Sequence, residues 1–222
     1  MAANEQLPSK AEFKAAFLAN ERQVRINTGR LACALVFVLM PLGVTADYFV
    51  YPDHVGDFLK LRLLCSLLIA GVWLLHSTPL ARKHYPLVGM PIVLLPAFFM
   101  TWMVYKTDGD VSPYYAALNL ILLAVSAVGH WSMAETFFAV GSVISLYAGY
   151  MIAYIVQNPD RLNRGVFFNN LYFLALTGII VISGNYIFNR LRFREFTLRF
   201  ELDQNRRTLE EANKKLRELV QV

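Results

Sequence analysis

The sequence is poor in charged residues, which make up 17% of its 222 positions. A soluble domain normally has about 25% charged residues. Hydrophobic residues make up 56% of the chain and occur in long runs, so the composition indicates an integral membrane protein and argues against a soluble globular fold. The first thirty residues also lack the apolar core and the cleavage site of a signal peptide.

Sequence motifs of catalysis and metal binding are missing as well. There is no Walker A motif, no GxSxG motif, and no HExxH, CxxC or CxxCH spacing. We therefore expect the segment itself to have no enzymatic activity and no cofactor. The predicted spans place the two cysteines, Cys33 and Cys65, at different depths. Because a disulfide needs Cα atoms within about 7 Å, we expect two free thiols.

Six apolar segments are each long enough to cross a bilayer, which takes about 20 mostly apolar residues. Turn-forming sequences such as YPDHVGD, KTDGDVSP and QNPDRLNRG separate them. All the loops are short, so no folded extracellular domain is expected. We predict an all-α fold, a polytopic six-helix transmembrane bundle with a cytoplasmic C-terminal coiled-coil helix. The predicted spans are 31–51, 58–77, 85–105, 112–131, 134–157 and 165–189.

Basic residues beside the spans predict the orientation, because cytoplasmic loops are enriched in Lys and Arg. They cluster before span one, in the second loop and after span six, whereas aspartates offset the basic residues on the other side. Both termini are therefore predicted to be cytoplasmic, in a bacterial inner membrane. The net charge of +5 is explained by this topology signal, and no nucleic-acid partner is expected. The basic residues on the predicted cytoplasmic side are Lys10, Lys14, Arg22, Arg25, Arg30, Arg82, Lys83, Arg190, Arg192 and Arg194; those opposite are Lys106, Arg161 and Arg164.

The segment before the first span contains SKAEFKAAFLANERQVRI, in which apolar residues recur on one face of a predicted helix. Such a helix can lie on the inner leaflet or dock on a cytoplasmic linker, and both interpretations remain open. The predicted organisation is an amphipathic N-terminal helix at 1–29, a six-span sensor domain at 30–190 and a signalling linker at 191–222.

The last stretch, LRFELDQNRRTLEEANKKLRELVQV, is charged, helical in composition and free of Gly and Pro. Its apolar positions and one asparagine alternate at spacings of four and three, which is a heptad seam. A lone helix of this kind is marginal in water, so we predict a parallel homodimeric coiled coil; a solvated helix folding back is the alternative. A coil that continues from the last span is a mechanical connector, so we expect an output domain beyond it. The seam is Leu198, Leu202, Asn205, Leu209, Ala212, Leu216 and Leu219.

Polar and aromatic residues concentrate in the predicted outer half of the spans. Part of this pattern is an aromatic belt, but the amide side chains need partners, either on other helices or from a ligand. The hypothesis is a pocket for a small, mostly apolar molecule. Asp47 and Arg62 are predicted to form a structural ion pair, since charges within a membrane find partners. The candidate ligand-binding residues are Arg62, Trp102, Tyr115, Asn119, Tyr147 and Asn170.

Histidines form a second cluster at the predicted inner ends of the spans. His76 ends span two and His130 ends span four, with His84 and Glu135 at similar depth. Two facing histidines could hold a b-type haem, and a His/Glu set could hold a metal. The alternative is that these side chains bond to carbonyls or water at helix ends.

Three stretches carry a resemblance to a known family: FLKLRLLCSLLIAGVWLL, LPAFFMTWMVYKTDGD and HWSMAETFFAVGSVISLYAGYMIAY. They resemble spans two, three and five of bacterial quorum-sensing receptors of the cholera-autoinducer type, and the likeness extends over about residues 30–190. The resemblance implies binding of α-hydroxyketone autoinducers, with the polar head near Arg62, Trp102, Tyr115 and Asn119. It also implies an output domain, a histidine kinase in most members and an adenylate or diguanylate cyclase in others.

The combined hypothesis is a dimeric membrane sensor that binds a small hydrophobic signal and transmits it through the coiled coil to an output domain. The main alternatives are a membrane anchor that regulates a nucleotide cyclase, and a haem or metal sensor that uses His76 and His130.

Overall fold

The computed structural model of the chain describes residues 10–79, 81, 84–128, 130–159 and 163–220. These residues are almost all helical and contain no strand, which confirms the predicted all-α fold. The topology residues Arg82, Lys83 and Arg161, and the first nine residues of the predicted N-terminal helix, lie outside the described residues. The helices are α1 (Lys10–Leu42), α2 (Val44–Val50), α3 (Val55–Leu75), α4 (Tyr85–Gly89), α5 (Pro91–Lys106), α6 (Tyr115–Val128), α7 (Met133–Gln157) and α8 (Arg164–Val220).

Five helical segments of the described chain are long and apolar enough to cross a membrane. They are Ala11–Val50, Pro52–Leu75, Tyr85–Lys106, Met133–Gln157 and Arg164–Leu219. The fourth predicted span, 112–131, corresponds to α6, which is apolar but has 14 residues. At about 1.5 Å per residue it is shorter than the roughly 30 Å hydrocarbon core. The chain is thus a multi-pass membrane protein, with one span shorter than predicted.

Helix α1 is a single helix from Lys10 to Leu42, so no break separates the predicted amphipathic segment from the first span. The predicted domain boundary at residue 30 has no counterpart in the backbone and stays a prediction. The helix is interrupted instead at Gly43, between α1 and α2, two residues after Pro41. Proline disturbs the helix around it because it lacks an N–H donor.

The bundle is formed by residues up to Asn185, and α5 lies at its centre against α1, α3, α6 and α7. The span Tyr85–Lys106, which contains α4 and α5, has the largest buried share of the five spans. The part of α8 up to Asn185 packs less closely against the other helices than those helices pack against one another. Large apolar side chains such as Phe49, Leu67 and Phe168 face outward, as expected for surfaces that contact lipid.

Residues 186–222 form a second compact unit, whose described part is the remainder of α8. All five seam leucines are more than half exposed in the single chain. Two surface ion pairs, Glu195–Arg199 and Arg206–Glu210, follow the i to i+4 spacing that supports an isolated helix.

Gly109, in the turn between α5 and α6, is expected to tolerate no side chain. Its φ is +60°, and an added Cβ would lie 2.4 Å from a ring carbon of Tyr154. We expect Gly109→Ala to lower the free energy of unfolding by about 2–3 kcal/mol. The matched control is Gly56→Ala, where an added Cβ meets nothing within 4 Å. Thermal unfolding in mild detergent checks this, and equal shifts for both variants would contradict it.

Candidate functional site

A cavity of about 180 Å³ lies between α1, α4, α5, α6 and the start of α7. Most of its wall is apolar, which is the usual lining of a small-molecule site. Four residues of the wall, Gly29, Pro86, Gly89 and Pro96, are glycines or prolines. Their small or rigid side chains help to leave the space unfilled. The apolar lining includes Ile26, Ala32, Val36, Ile92, Val93, Ile121 and Val125.

The polar groups of the cavity wall are Arg25, His76, Tyr85, His130 and Glu135. Arg25 comes from α1, His76 directly follows α3, His130 lies just before α7, and Glu135 lies in the first turn of α7. We call residues 130–136, the connection into α7 together with the first turn of that helix, the α6–α7 turn, and the side of the bundle that holds it the His130 end. The opposite side, which holds Asp47, is the Asp47 end. An apolar chamber with convergent polar groups fits a molecule that is itself partly polar.

Arg25 and Glu135 form an ion pair that joins α1 to α7. Nη1 of Arg25 lies 2.9 Å and 3.1 Å from the two carboxylate oxygens, and both side chains are nearly buried. The guanidinium also lies over the ring of Tyr85, 4.9 Å from its centroid. The Nε atom of Arg25 is buried without an acceptor in the described part of the chain, so an added oxygen atom at this point would be stabilised.

Glu135 has a second role, in the capping box at the N-terminus of α7. Its side chain accepts from the backbone N–H of Ser132, while the Ser132 hydroxyl accepts from the Glu135 N–H. This reciprocal capping box satisfies two N–H groups that a helix start leaves open. The start of α7 and the position of Arg25 therefore depend on the same carboxylate.

His76 is held by its neighbours in one orientation. Its Nδ1 atom lies 3.0 Å from the carbonyl oxygen of Val72, and because a carbonyl can only accept, Nδ1 carries the proton. The Nε2 atom faces α1 at Gly29, where an added Cβ would lie 2.5 Å away. Glycine at position 29 is thus what allows the imidazole to lie against α1.

One side of the cavity reaches the lipid-facing surface. Leu35 and Leu39 of α1 line the cavity and are 41% and 60% exposed, and Ala124 of α6 is also exposed. A ligand dissolved in the bilayer could enter here without passing through water.

The α6–α7 turn also contacts α8. Asn185, only 1% exposed, donates from Nδ2 to the carbonyl oxygen of Trp131 at 3.0 Å and to Oγ1 of Thr136 at 2.7 Å. Trp131 lines the cavity, and its ring lies 3.7 Å from the position of an added Cβ at Gly89, another residue of the wall. One short turn therefore holds the cavity wall on one side and the last helix on the other.

The predicted ion pair at the Asp47 end is present as a tight contact. Arg62 donates from Nε and Nη2 to the two oxygens of Asp47, both at 2.7 Å, and from Nη1 to the carbonyl of Met40. Tyr114 donates to the same carboxylate at 2.7 Å. Both charged side chains are almost fully buried. This cluster has the character of a structural tie, because its hydrogen-bonding capacity is largely used within the bundle.

The other predicted ligand residues lie on α5, α6, α7 and the first turns of α8, and none of them lines the cavity described above. Asn170 donates to the carbonyl of Asp110 at 2.7 Å and to the hydroxyl of Tyr147 at 3.3 Å, and Asn119 accepts from Thr177 at 2.8 Å. Trp102 contacts Tyr105 and Tyr150 edge-on or tilted, and Tyr115 packs partly buried against the core. Their role in ligand binding stays a prediction.

The predicted histidine cluster lies at the cavity. His76, His130 and Glu135 line it, whereas His84 is exposed. The described residues contain no group of three or more side chains able to hold a metal ion. Asn185 was not predicted as a site residue, although a polar residue within an apolar span is a functional signal. Arg25 was interpreted only as a topology signal.

The apolar helices and the cavity with its buried polar groups fit a membrane-associated sensory domain. The family comparison agrees with this class. The chain belongs to the MASE8 family, whose sequence profile matches residues 45–203, from α2 into the second unit. No curated protein and no solved structure gives a significant match.

Proposed function

We propose that this domain receives a small amphiphilic signal from the bilayer and transmits it through α8 to an output domain. The observation that carries the proposal is the cavity, which is apolar along its walls, polar at Arg25, His76 and Glu135, and open toward lipid. A molecule with an apolar body and a small polar head matches all three features.

The size of the cavity limits the part of the ligand that can be enclosed. At about 180 Å³ it is close to an engineered cavity of about 150 Å³ that binds benzene. It is smaller than the roughly 300–1,000 Å³ typical of drug-sized ligands. A head group and a short apolar stretch can be enclosed, and a longer alkyl chain would extend past Leu35 and Leu39 into the bilayer.

The resemblance to autoinducer receptors suggests an α-hydroxyketone, and the polar groups of the cavity are compatible with that head. Its carbonyl oxygen could accept from the unpartnered Nε of Arg25. Such a ligand changes the receptor only if it binds one arrangement of the helices more tightly than another.

The output side of the proposal is a dimer with cytoplasmic termini in the bacterial inner membrane. The exposed heptad leucines of α8 support it, because two such helices bury their seams against each other. The proposed output domain is a histidine kinase, following the resemblance, with an adenylate or diguanylate cyclase as the alternative.

Leu209→Asp is expected to weaken dimerisation at least about tenfold, since it places an unpaired charge in the seam of both copies. The matched control is Gln204→Asp, which adds the same charge outside the seam. Native mass spectrometry from mild detergent gives the dimer fraction. A dimer lost equally in both variants, or in neither, would count against the coiled coil.

The binding site is tested with a medium-chain α-hydroxyketone as the probe and the chain in lipid nanodiscs. Ala32→Phe fills the cavity and is expected to reduce affinity at least about tenfold, whereas Tyr115→Ala and Asn119→Ala are expected to leave it within about twofold. Isothermal titration gives the affinities. If only the last two variants lose binding, the site lies at the predicted outer residues; if the wild-type chain binds no probe, the proposal for this ligand class fails.

A second candidate is haem sensing, favoured by the presence of His76 and His130 on one cavity wall. The cavity is smaller than those of drug-sized ligands, and a porphyrin is larger than most of these. Nε2 of His76 is also covered by α1 at Gly29. An absorption spectrum of the purified chain separates the candidates, because a Soret band lost on His130→Ala would establish haem.

A further inference from the structure

We infer that Asn185 couples the cavity to α8, because its hydrogen bonds link the position of the α6–α7 turn to the position of the last helix. The inference rests on the proposed function for the statement that a ligand fills the cavity. It goes beyond that proposal because it names the group through which filling of the cavity changes α8.

The hydrogen bonds of Asn185 place its amide at both ends of the turn. The carbonyl of Trp131 can only accept, so the NH2 group of Asn185 must face it. The same NH2 group donates to Thr136, whose hydroxyl donates in turn to the carbonyl of Ser132. Any shift of the turn relative to α8 must therefore stretch or exchange at least one of these bonds.

The turn is itself part of the cavity wall. Trp131 lines the cavity with its ring and bonds Asn185 with its backbone, and Glu135, next to Thr136, carries the ion pair to Arg25. A ligand that displaces the ring or engages Arg25 thus acts on the two residues that hold the amide.

Asn185 also has a second bonding arrangement available. Its Oδ1 atom is buried without a donor among the described residues, which leaves an unsatisfied acceptor in this arrangement. A movement that brings a donor to Oδ1 would compensate for the loss of a bond at Nδ2. Two arrangements with similar numbers of hydrogen bonds are what a two-state coupling element requires.

The contacts of Asn185 differ from other polar contacts between α8 and the bundle. Asn170 and Thr177 also bond the bundle through buried or half-buried polar groups, but their partners, Asp110 and Asn119, do not line the cavity. Asn170→Ala is therefore a matched control, since it removes a buried amide from the same helix without touching the α6–α7 turn.

The test fills the cavity without a ligand, so it does not depend on the identity of the signal. Ala32→Phe is made in the full chain alone, with Asn185→Ala and with Asn170→Ala, and hydrogen exchange of α8 peptides spanning residue 185 is followed in nanodiscs. Filling is expected to change exchange at least about threefold in the wild-type and Asn170→Ala backgrounds, and by less than about twofold with Asn185→Ala. Each response is measured against its own unfilled parent.

Three results would overturn the inference: no response of α8 in the wild-type background, a full response with Asn185→Ala, or a response lost equally with Asn170→Ala. If Ala32→Phe does not fold, Ala124→Leu narrows the same cavity from α6 and is read in the same way. Probe binding in the Asn185→Ala chain separates the two proposals. A chain that binds the α-hydroxyketone yet shows no α8 response supports both, whereas failure to bind in every background concerns the proposed ligand alone.

Discussion

Replacing Arg62 by alanine is expected to destabilise the bundle by about 3–5 kcal/mol. The change leaves the carboxylate of Asp47 fully buried with Tyr114 as its remaining side-chain donor. It also removes the bond to the carbonyl of Met40 and opens the space beside Gly43, where Nη1 of Arg62 lies 2.2 Å from the position of an added Cβ. Thermal unfolding and steric trapping of the purified chain measure the loss.

The control lies on the same helix. Lys60 forms an ion pair with Asp57 at 2.9 Å, but its side chain is 80% exposed, so Lys60→Ala should cost less than about 1 kcal/mol. Replacing both buried partners, as Asp47→Leu with Arg62→Met, should recover much of the loss, because neither charge is then left alone. Similar costs for the Arg62 and Lys60 variants would show that burial does not govern this pair.

The helical fold could be predicted because it depends on composition and on the length of apolar runs, which are local properties. The length of α6 could not. Its predicted span, 112–131, included residues that form turns in the structure, since Pro113 precedes the helix and the α6–α7 turn follows it. Apolar residues in a turn that packs within the bundle give the same hydropathy as residues in a span.

The location of the cavity depends on packing that a single sequence does not display. Asn119 and Asn170 were predicted to face a ligand because amides in a membrane need partners. Their observed partners, Thr177 and Asp110, are 58 and 60 positions away along the chain, and no local pattern indicates such pairings. Arg25 was similarly explained by topology, although its partner Glu135 is 110 positions away.

Some local signals were nevertheless present at the site. The sequence SMAE before an apolar run is a capping box, and it marks the start of α7 where Ser132 and Glu135 bond each other. Two of the three histidines grouped by the sequence, His76 and His130, line the same cavity, whereas His84 does not. The grouping was based on the ends of the predicted spans. The sequence did not show which helix faces each histidine.

Glu135→Ala is expected to have the second large effect, because it removes an ion pair and a helix cap together. The ion pair with Arg25 is nearly buried, and leaving the guanidinium with the more distant Glu21 carboxylate, at 3.5 Å, should cost about 2–3 kcal/mol. Loss of the capping box should add about 1 kcal/mol. The expected total is therefore about 3–4 kcal/mol in the free energy of unfolding, measured as for Arg62.

Two further variants divide this total between its causes. Glu135→Gln keeps a side chain that can accept from the Ser132 N–H but removes the charge, so it should show the cost of the ion pair alone. Ser132→Ala removes one bond of the cap and leaves the pair with Arg25 intact, so it should cost about 1 kcal/mol. If Glu135→Gln is as stable as the wild-type chain, the charge of Arg25 is compensated elsewhere, and α1 is not held to α7 by this pair. If it is as unstable as Glu135→Ala, the cap contributes little, and the ion pair alone holds the cavity wall to α1.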